Sequence, residues 1–131
     1  MSVRGIRGAT TASANTSAAV IEPTTELLQE LVRVNEIDVS EIAFAYFTTT
    51  PDLTAEFPAL AARRLGWFQV ALLCGHDMNV PESNPRAVPR CIRVLLLYNT
   101  DKPQAEMKFI YLRGADAIRL DLEEMRQEFE R

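Results

Sequence analysis

The sequence predicts an α+β domain: a mixed five-stranded sheet with one long and one short helix on one of its faces. Three observations carry this expectation. Apolar residues recur at helical spacing between about Thr16 and Asn35, and again briefly after Pro58. The intervening stretches are rich in β-branched, aromatic or continuous apolar residues and set the order β-α-β-α-β-β-β. The stretch Cys91–Asn99, CIRVLLLYN, is apolar on both its odd and its even positions except for Arg93, the pattern of a strand covered on both faces.

Ser2–Ala9 reads as the first strand, containing Arg4 and Arg7, with Gly5 and Gly8 marking a bulge or a close approach of another segment. Thr16 or Asn15 caps the long helix, whose apolar positions are Val20, Leu27, Leu28, Leu31 and Val34. Pro23 opposes its first part, since an interior proline costs about 3 kcal/mol, so a kink or a later start is expected. Ile42–Thr50, IAFAYFTTT, is the second strand and stops at the Pro51-Asp52 turn. Pro58 opens the short helix, Ala59–Leu65 is its body, and Gly66 ends it. Arg63 and Arg64 sit in its last turn, where cations suit the helix dipole. Phe68–Cys74 is the third strand, and Gly75–Arg90, with three prolines, is an irregular loop. The Arg93 strand follows, then a turn at Asp101–Pro103 and a fifth strand at Met107–Arg113. The tail Leu120–Arg131 is charged and helix-prone, with Leu122, Met125 and Phe129 on a narrow apolar stripe.

With 131 residues, 47% of them hydrophobic, the chain can build one ordinary core, and one domain is expected. A net charge of −4 argues against nucleic acid or an anionic membrane as partner, because those surfaces reward clustered Lys and Arg. No apolar run approaches the length of a membrane span, and MSVRGIRGATT lacks a signal-peptide core, so a soluble cytoplasmic protein is expected. Cys74 and Cys91 have no metal-ligand spacing and read as reduced, partly buried thiols. A strand covered on both faces in a sheet with helices on only one implies that a second copy of the chain covers the other.

The usual catalytic schemes find no support. His76 is the single histidine, no Ser-His-Asp or Cys-His arrangement has a second signal, and neither a zinc nor a phosphate-loop spacing occurs. His76 reads as a solvated loop residue and Cys74 as a small packed thiol. What stands out is the set of arginines near strand ends and sheet-facing helix turns: Arg7, Arg63, Arg93 and Arg119. Taken singly, three of them read as surface or salt-bridge cations. Arg93 differs, because a permanently charged group on a covered face needs an anion beside it or it would cost several kcal/mol or more. That anion is a protein carboxylate, for which Asp77 is available, or an anionic ligand. Tyr111 either packs or brings a hydroxyl to the same region. Together these groups suit a small di- or polyanionic ligand and do not identify it.

Four segments go further. RGIRGATT (Arg4–Thr11), TPDLTAEFPA (Thr50–Ala59), CIRVLLLYNTDKPQ (Cys91–Gln104) and YLRGA (Tyr111–Ala115) resemble, in that order and across nearly the whole chain, the AroH-type chorismate mutase family. The resemblance implies a homotrimer with a barrel-like core of sheets, as in the Bacillus chorismate mutase, and an active site at each subunit interface. It implies a mutase domain over residues 1–122 and a tail, 123–131, that is helical or disordered. The implied reaction is the pericyclic rearrangement of chorismate to prephenate in phenylalanine and tyrosine synthesis, with no cofactor and no metal.

Position by position, the resemblance implies that Arg93 donates to the breaking ether oxygen and that Arg7, with Tyr111, binds the side-chain carboxylate. Arg63 meets the ring carboxylate, Phe57 and Ala59 shape an apolar wall, and Leu73 also lines the substrate. Cys74 and Asp77 flank the substrate hydroxyl, and Ile118 and Arg119 close the pocket. Two positions depart from the family pattern: Asp77 stands where a glutamate is usual, and Leu120 where a proline is. The shorter carboxylate would sit closer to the substrate or act through a water. It also leaves the alternative of a trimeric protein that binds a chorismate- or prephenate-like anion and turns it over weakly.

Overall fold

A computed structural model describes residues 1–131 and contains five strands and three α-helices. They are β1 (Ser2–Thr11), α1 (Ser17–Asn35), β2 (Ile42–Thr49), α2 (Ala59–Arg64), β3 (Ala71–His76), β4 (Cys91–Thr100), β5 (Ile110–Tyr111) and α3 (Asp116–Glu130). The strands form one mixed sheet in the order β3-β2-β4-β1-β5. β4 runs antiparallel to both its neighbours, whereas β2–β3 and β1–β5 are parallel.

The register puts Ile6, Gly8 and Thr10 of β1 beside Leu96, Val94 and Ile92 of β4, and these beside Ala45, Phe47 and Thr49 of β2. All nine are buried, and this is the face that α1 and α2 cover through Leu27, Leu28, Leu31, Ala61 and Ala62. Fully removing such side chains from water supplies about 1.5–3 kcal/mol each for the larger ones. Gly8 is what lets α1 lie this close. A Cβ there would stand 2.9 Å from a δ-methyl of Leu31 and 3.1 Å from one of Leu27. The opposite face carries Phe44, Tyr46, Leu95 and Leu97, all partly open, with Leu73 60% exposed. One long and one short helix on one face is therefore the arrangement observed. The added α3 meets the other face at its β1–β5 corner, where Ile118 packs around Ala9, Cys91 and Ala115.

Several boundaries differ from expectation for identifiable reasons. Thr16 is the cap of α1, its hydroxyl accepting from the Ala19 amide at 3.2 Å. The helix runs from Ser17 straight through Pro23, so there is no later start; the proline ring is fully buried in the core. β3 begins at Ala71 rather than Phe68, because the turn through Gly66 (φ 88°) leaves Phe68 exposed, and it continues through Gly75 and His76.

The fifth strand shrinks to Ile110–Tyr111 because side-chain amides take the place of a ladder. Gln104 exchanges two hydrogen bonds with the backbone of Gly5, at 2.7 and 2.9 Å, and Asn35 does the same with Lys108, at 2.8 and 2.9 Å. Met107 turns into the core between them. α3 starts at Asp116, ahead of the charged tail, and carries its apolar stripe exposed, with Phe129 the most open.

Candidate active site

Arg93 lies on the open face of β4, directly between Thr48 of β2 and Ala9 of β1. Tyr111 of β5 flanks Ala9 and Gly75 of β3 flanks Thr48, so one row crosses all five strands. Asp77 follows β3 and extends its pairing, its amide donating to the Thr49 carbonyl at 2.7 Å. That fixes its carboxylate: Oδ2 lies 3.1 Å from Arg93 Nε. The two atoms are shut off from solvent, yet their angles do not make a hydrogen bond. The contact is a charge contact that leaves donor and acceptor capacity unused. Tyr111 Oη is likewise buried without a partner. An unpaired buried hydroxyl and a half-satisfied guanidinium in one row are groups that a polar ligand would complete.

A cavity of about 780 Å³ opens beside this pair, between the Thr50–Asp52 turn and the loop 77–90, with Asp77, Arg86, Val88 and Arg93 in its wall. A smaller one, about 280 Å³, lies at the start of α2 and is lined in part by Phe57, Cys74 and His76. Here Cys74 is half-buried on the helix side of β3. Burial pushes its thiol pKa up, while the Ala59 amide and the charge of Arg63 pull it down, which places these three residues together. Burial also raises the pKa of Cys91, with the neighbouring Arg93 opposing the shift.

The residues singled out in the sequence thus fall into groups. Arg93, Asp77, Tyr111 and Ile118 gather at one end of the open face, with Arg7, beside Leu95, and Leu73 farther along it. Phe57, Ala59, Arg63 and Cys74 gather on the helix-covered side of the β3 edge. A single chain does not bring the two groups into one cavity.

Arg7 and Arg63 form no ion pair in the chain, so both guanidinium groups are available to an anion. Arg119 is already engaged on its own helix, 2.7 Å from Asp116 and 3.1 Å from Glu123, and it holds the Asp116 carboxyl below the usual carboxylate range. His76 ends β3 rather than lying in a loop. It is exposed, with Nδ1 3.1 Å from the Thr49 hydroxyl. Sequence reasoning missed Arg86 and Val88, which sit in a proline-rich loop that carries no periodic signal.

Comparison with known proteins places the chain among relatives of one kind. The family model described as chorismate mutase type I matches residues 3–122. The chorismate mutase AroH of Thermus thermophilus is 47% identical over 122 residues, 92% of this chain and 97% of that protein. The chorismate mutase AroH of Bacillus subtilis is 36% identical over 93% of this chain and 94% of its own length. Among solved structures, a chorismate mutase from Clostridium thermocellum superposes with a TM-score of 0.80 at 42% identity, covering 86% of this chain and 96% of that one.

Proposed function

The chain belongs to the chorismate mutase type I family, and from that premise we propose how its residues share the work and where they meet. It is an enzyme with chorismate mutase activity, acting on chorismate to give prephenate in aromatic amino acid biosynthesis. The rearrangement is pericyclic. One C–O bond breaks as one C–C bond forms within the same molecule, so no nucleophile, metal or proton transfer is required. The protein has two tasks: to hold the substrate in its compact reactive conformer, and to stabilise charge growing on the ether oxygen.

The observation that carries the assignment of roles is the Arg93–Asp77 contact, which holds a guanidinium at a sheltered wall with hydrogen-bonding capacity left over. In this reading Arg93 donates to the ether oxygen, and Asp77 fixes its direction and meets the substrate hydroxyl, with Cys74 on the hydroxyl's other side. Arg7 and the Tyr111 hydroxyl bind the side-chain carboxylate, and Arg63 binds the ring carboxylate. Phe57, Ala59 and Leu73 supply apolar wall, and Ile118 and Arg119 close the pocket from α3.

These roles require the two groups of residues to meet, although they face opposite sides of one sheet. The reading is therefore a homotrimer in the cytoplasm, with the half-open sheet faces turned inward and each site spanning a subunit boundary. One copy offers the Arg93 group and its neighbour the Phe57–Arg63–Cys74 group. The exposed Leu73 and the partly open Leu95 on that face support such a cover. No helix of the chain is long and apolar enough to cross a membrane. Residues 1–122 make up the mutase domain, with 123–131 an extension of α3 beyond it.

The test is loss of chorismate absorbance on adding purified protein, with prephenate identified as product. Conversion by the wild type and near-silence from Arg93→Ala is the expected result. Silence from both, with the protein folded, would overturn the assignment of roles and leave an anion-binding site.

A further inference from the structure

Helix α3 is held to the rest of the chain by very little. None of its residues is buried, and its first residue has no side-chain cap. Apart from Arg86–Asp121, every ion pair and side-chain hydrogen bond of α3 stays within the helix: Arg119 with Asp116 and Glu123, and Arg126 with Glu130. The exception joins Arg86 Nε to Asp121 Oδ2 at 3.3 Å. Arg86 belongs to the loop 77–90, which begins at Asp77, the partner of Arg93.

The apolar contacts follow the same geometry. Val88, two residues after Arg86 in the loop, and Ile118, three residues before Asp121 on the helix, both pack on the small cluster of Ala9, Cys91 and Ala115. Arg86 lies in the turn that the Ala87 amide closes on the Asn84 carbonyl at 3.0 Å, just before Val88, and residues three apart on a helix share a face. Loop and helix therefore meet through matched pairs of positions, beside the Ala9 and Cys91 that flank Arg93.

We propose that Arg86 and Asp121 are a positioning pair that joins the loop 77–90 to α3 and so sets the wall of the Arg93 pocket before substrate arrives; this rests on the reaction and site assigned above. Neither residue acts on the reacting atoms. Their effect is preorganisation: a wall already in place leaves less ordering to be done on binding. Both side chains are partly open, 61% for Arg86 and 37% for Asp121, so the pair shifts an equilibrium a fewfold rather than by orders of magnitude.

Steady-state chorismate kinetics on Arg86→Ala, Asp121→Ala and the charge-swapped Arg86→Asp/Asp121→Arg test the proposal in the full chain. The expected result is a KM raised about threefold in each single variant, kcat within a factor of about two, and KM restored in the swap. Trypsin cleavage within α3, at Arg126, is expected to quicken in both single variants and slow again in the swap. A KM effect confined to Arg86→Ala and not relieved by the swap would mean that Arg86 touches substrate directly, and would overturn the proposal. Unchanged KM and unchanged proteolysis in both singles would overturn it equally. If wild-type protein left chorismate untouched, the functional reading would fail, and the proteolysis measurements would still decide whether the pair holds the helix.

Discussion

Arg93 Nε and Asp77 Oδ2 come within 3.1 Å of each other because β3 and β4 both pair with β2, so that a residue just beyond one strand meets a residue inside the other across Thr48. The Thr49 carbonyl fixes the Asp77 backbone, and the antiparallel ladders on both sides of β4 fix that of Arg93. A donor set by two ladders does not have to reorganise when charge develops near it, which is the condition under which one hydrogen bond is worth most in catalysis.

Arg93→Ala removes that donor and is expected to lower kcat at least a hundredfold, about 3 kcal/mol or more of transition-state stabilisation. Arg93→Lys keeps the charge and loses the planar fork, so its kcat should lie between wild type and Arg93→Ala. Initial rates of chorismate loss at saturating substrate check this, and a kcat within tenfold of wild type for Arg93→Ala would remove Arg93 from the chemistry.

Asp77 separates charge from length. Asp77→Asn leaves a similar shape and takes away the only carboxylate that pairs with Arg93, and is expected to lower kcat about tenfold. Asp77→Glu keeps the charge and adds one methylene in a wall that borders a roomy cavity, so kcat/KM should stay within about threefold of wild type. Parallel kinetics on the two variants decide: equal losses in both would show that reach, not charge, is what Asp77 supplies.

The Cys74 thiol has a pKa raised by burial, so it is neutral at pH 7 and becomes thiolate only as pH rises beyond the ordinary thiol range. Iodoacetamide should therefore label it slowly at pH 7.5 and faster only as the pH is taken past the ordinary thiol range. The charge of Arg63 pulls the pKa down, so Arg63→Ala should slow labelling further at every pH. Mass-spectrometric labelling rates across pH measure this. Fast labelling at pH 7.5 would contradict the assigned environment. With the thiol neutral throughout, turnover is expected to vary little between pH 6 and 8.

Most of the sheet and both covering helices were legible because their signals are local: helical spacing at Leu27, Leu28 and Leu31, β-branched and aromatic runs, and prolines at boundaries. The fifth strand was legible in place but not in length, because the backbone on either side is met by the Gln104 and Asn35 side chains, and nothing in MKFIYLR announces partners so far away in sequence. Arg93 was legible as a charge on an apolar strand, and Asp77 as the carboxylate it needs. The roles of Arg7, Arg63 and Tyr111 came only from the family resemblance. The place of Arg86 was hidden in a loop, where no period tells a cavity residue from a solvated one.

Gly8→Ala tests the helix–sheet contact. The added methyl would stand 2.9 Å from Leu31 Cδ1 and 3.1 Å from Leu27 Cδ1, so one or both of these fully buried side chains must shift in a closely packed core. Overpacking of this kind costs about 1–3 kcal/mol, so thermal unfolding should begin several degrees lower. Calorimetry on the purified variant reads this, and an unchanged midpoint would mean that the two leucines find other rotamers without strain.

Leu95→Glu tests whether the open face is covered by other copies. Leu95 is 37% exposed in the single chain and is flanked on the same face by Tyr46 and Arg7, with Phe44 stacked on Tyr46 at 6.2 Å between ring centres. The single chain can accommodate a glutamate there, since one side of the residue is open and Arg7, which forms no ion pair, is its neighbour. An apolar interface cannot accommodate it, because each copy would bury a charge costing several kcal/mol, more than a marginal subunit contact can offset. Light scattering is therefore expected to show a monomer with an intact circular dichroism spectrum. Chorismate turnover should fall with the assembly, because a monomer keeps the Arg93 group and the Arg63 group on opposite sides of its own sheet. A monomeric Leu95→Glu protein with full activity would place the whole site within one chain. An undisturbed oligomer would place the interface elsewhere.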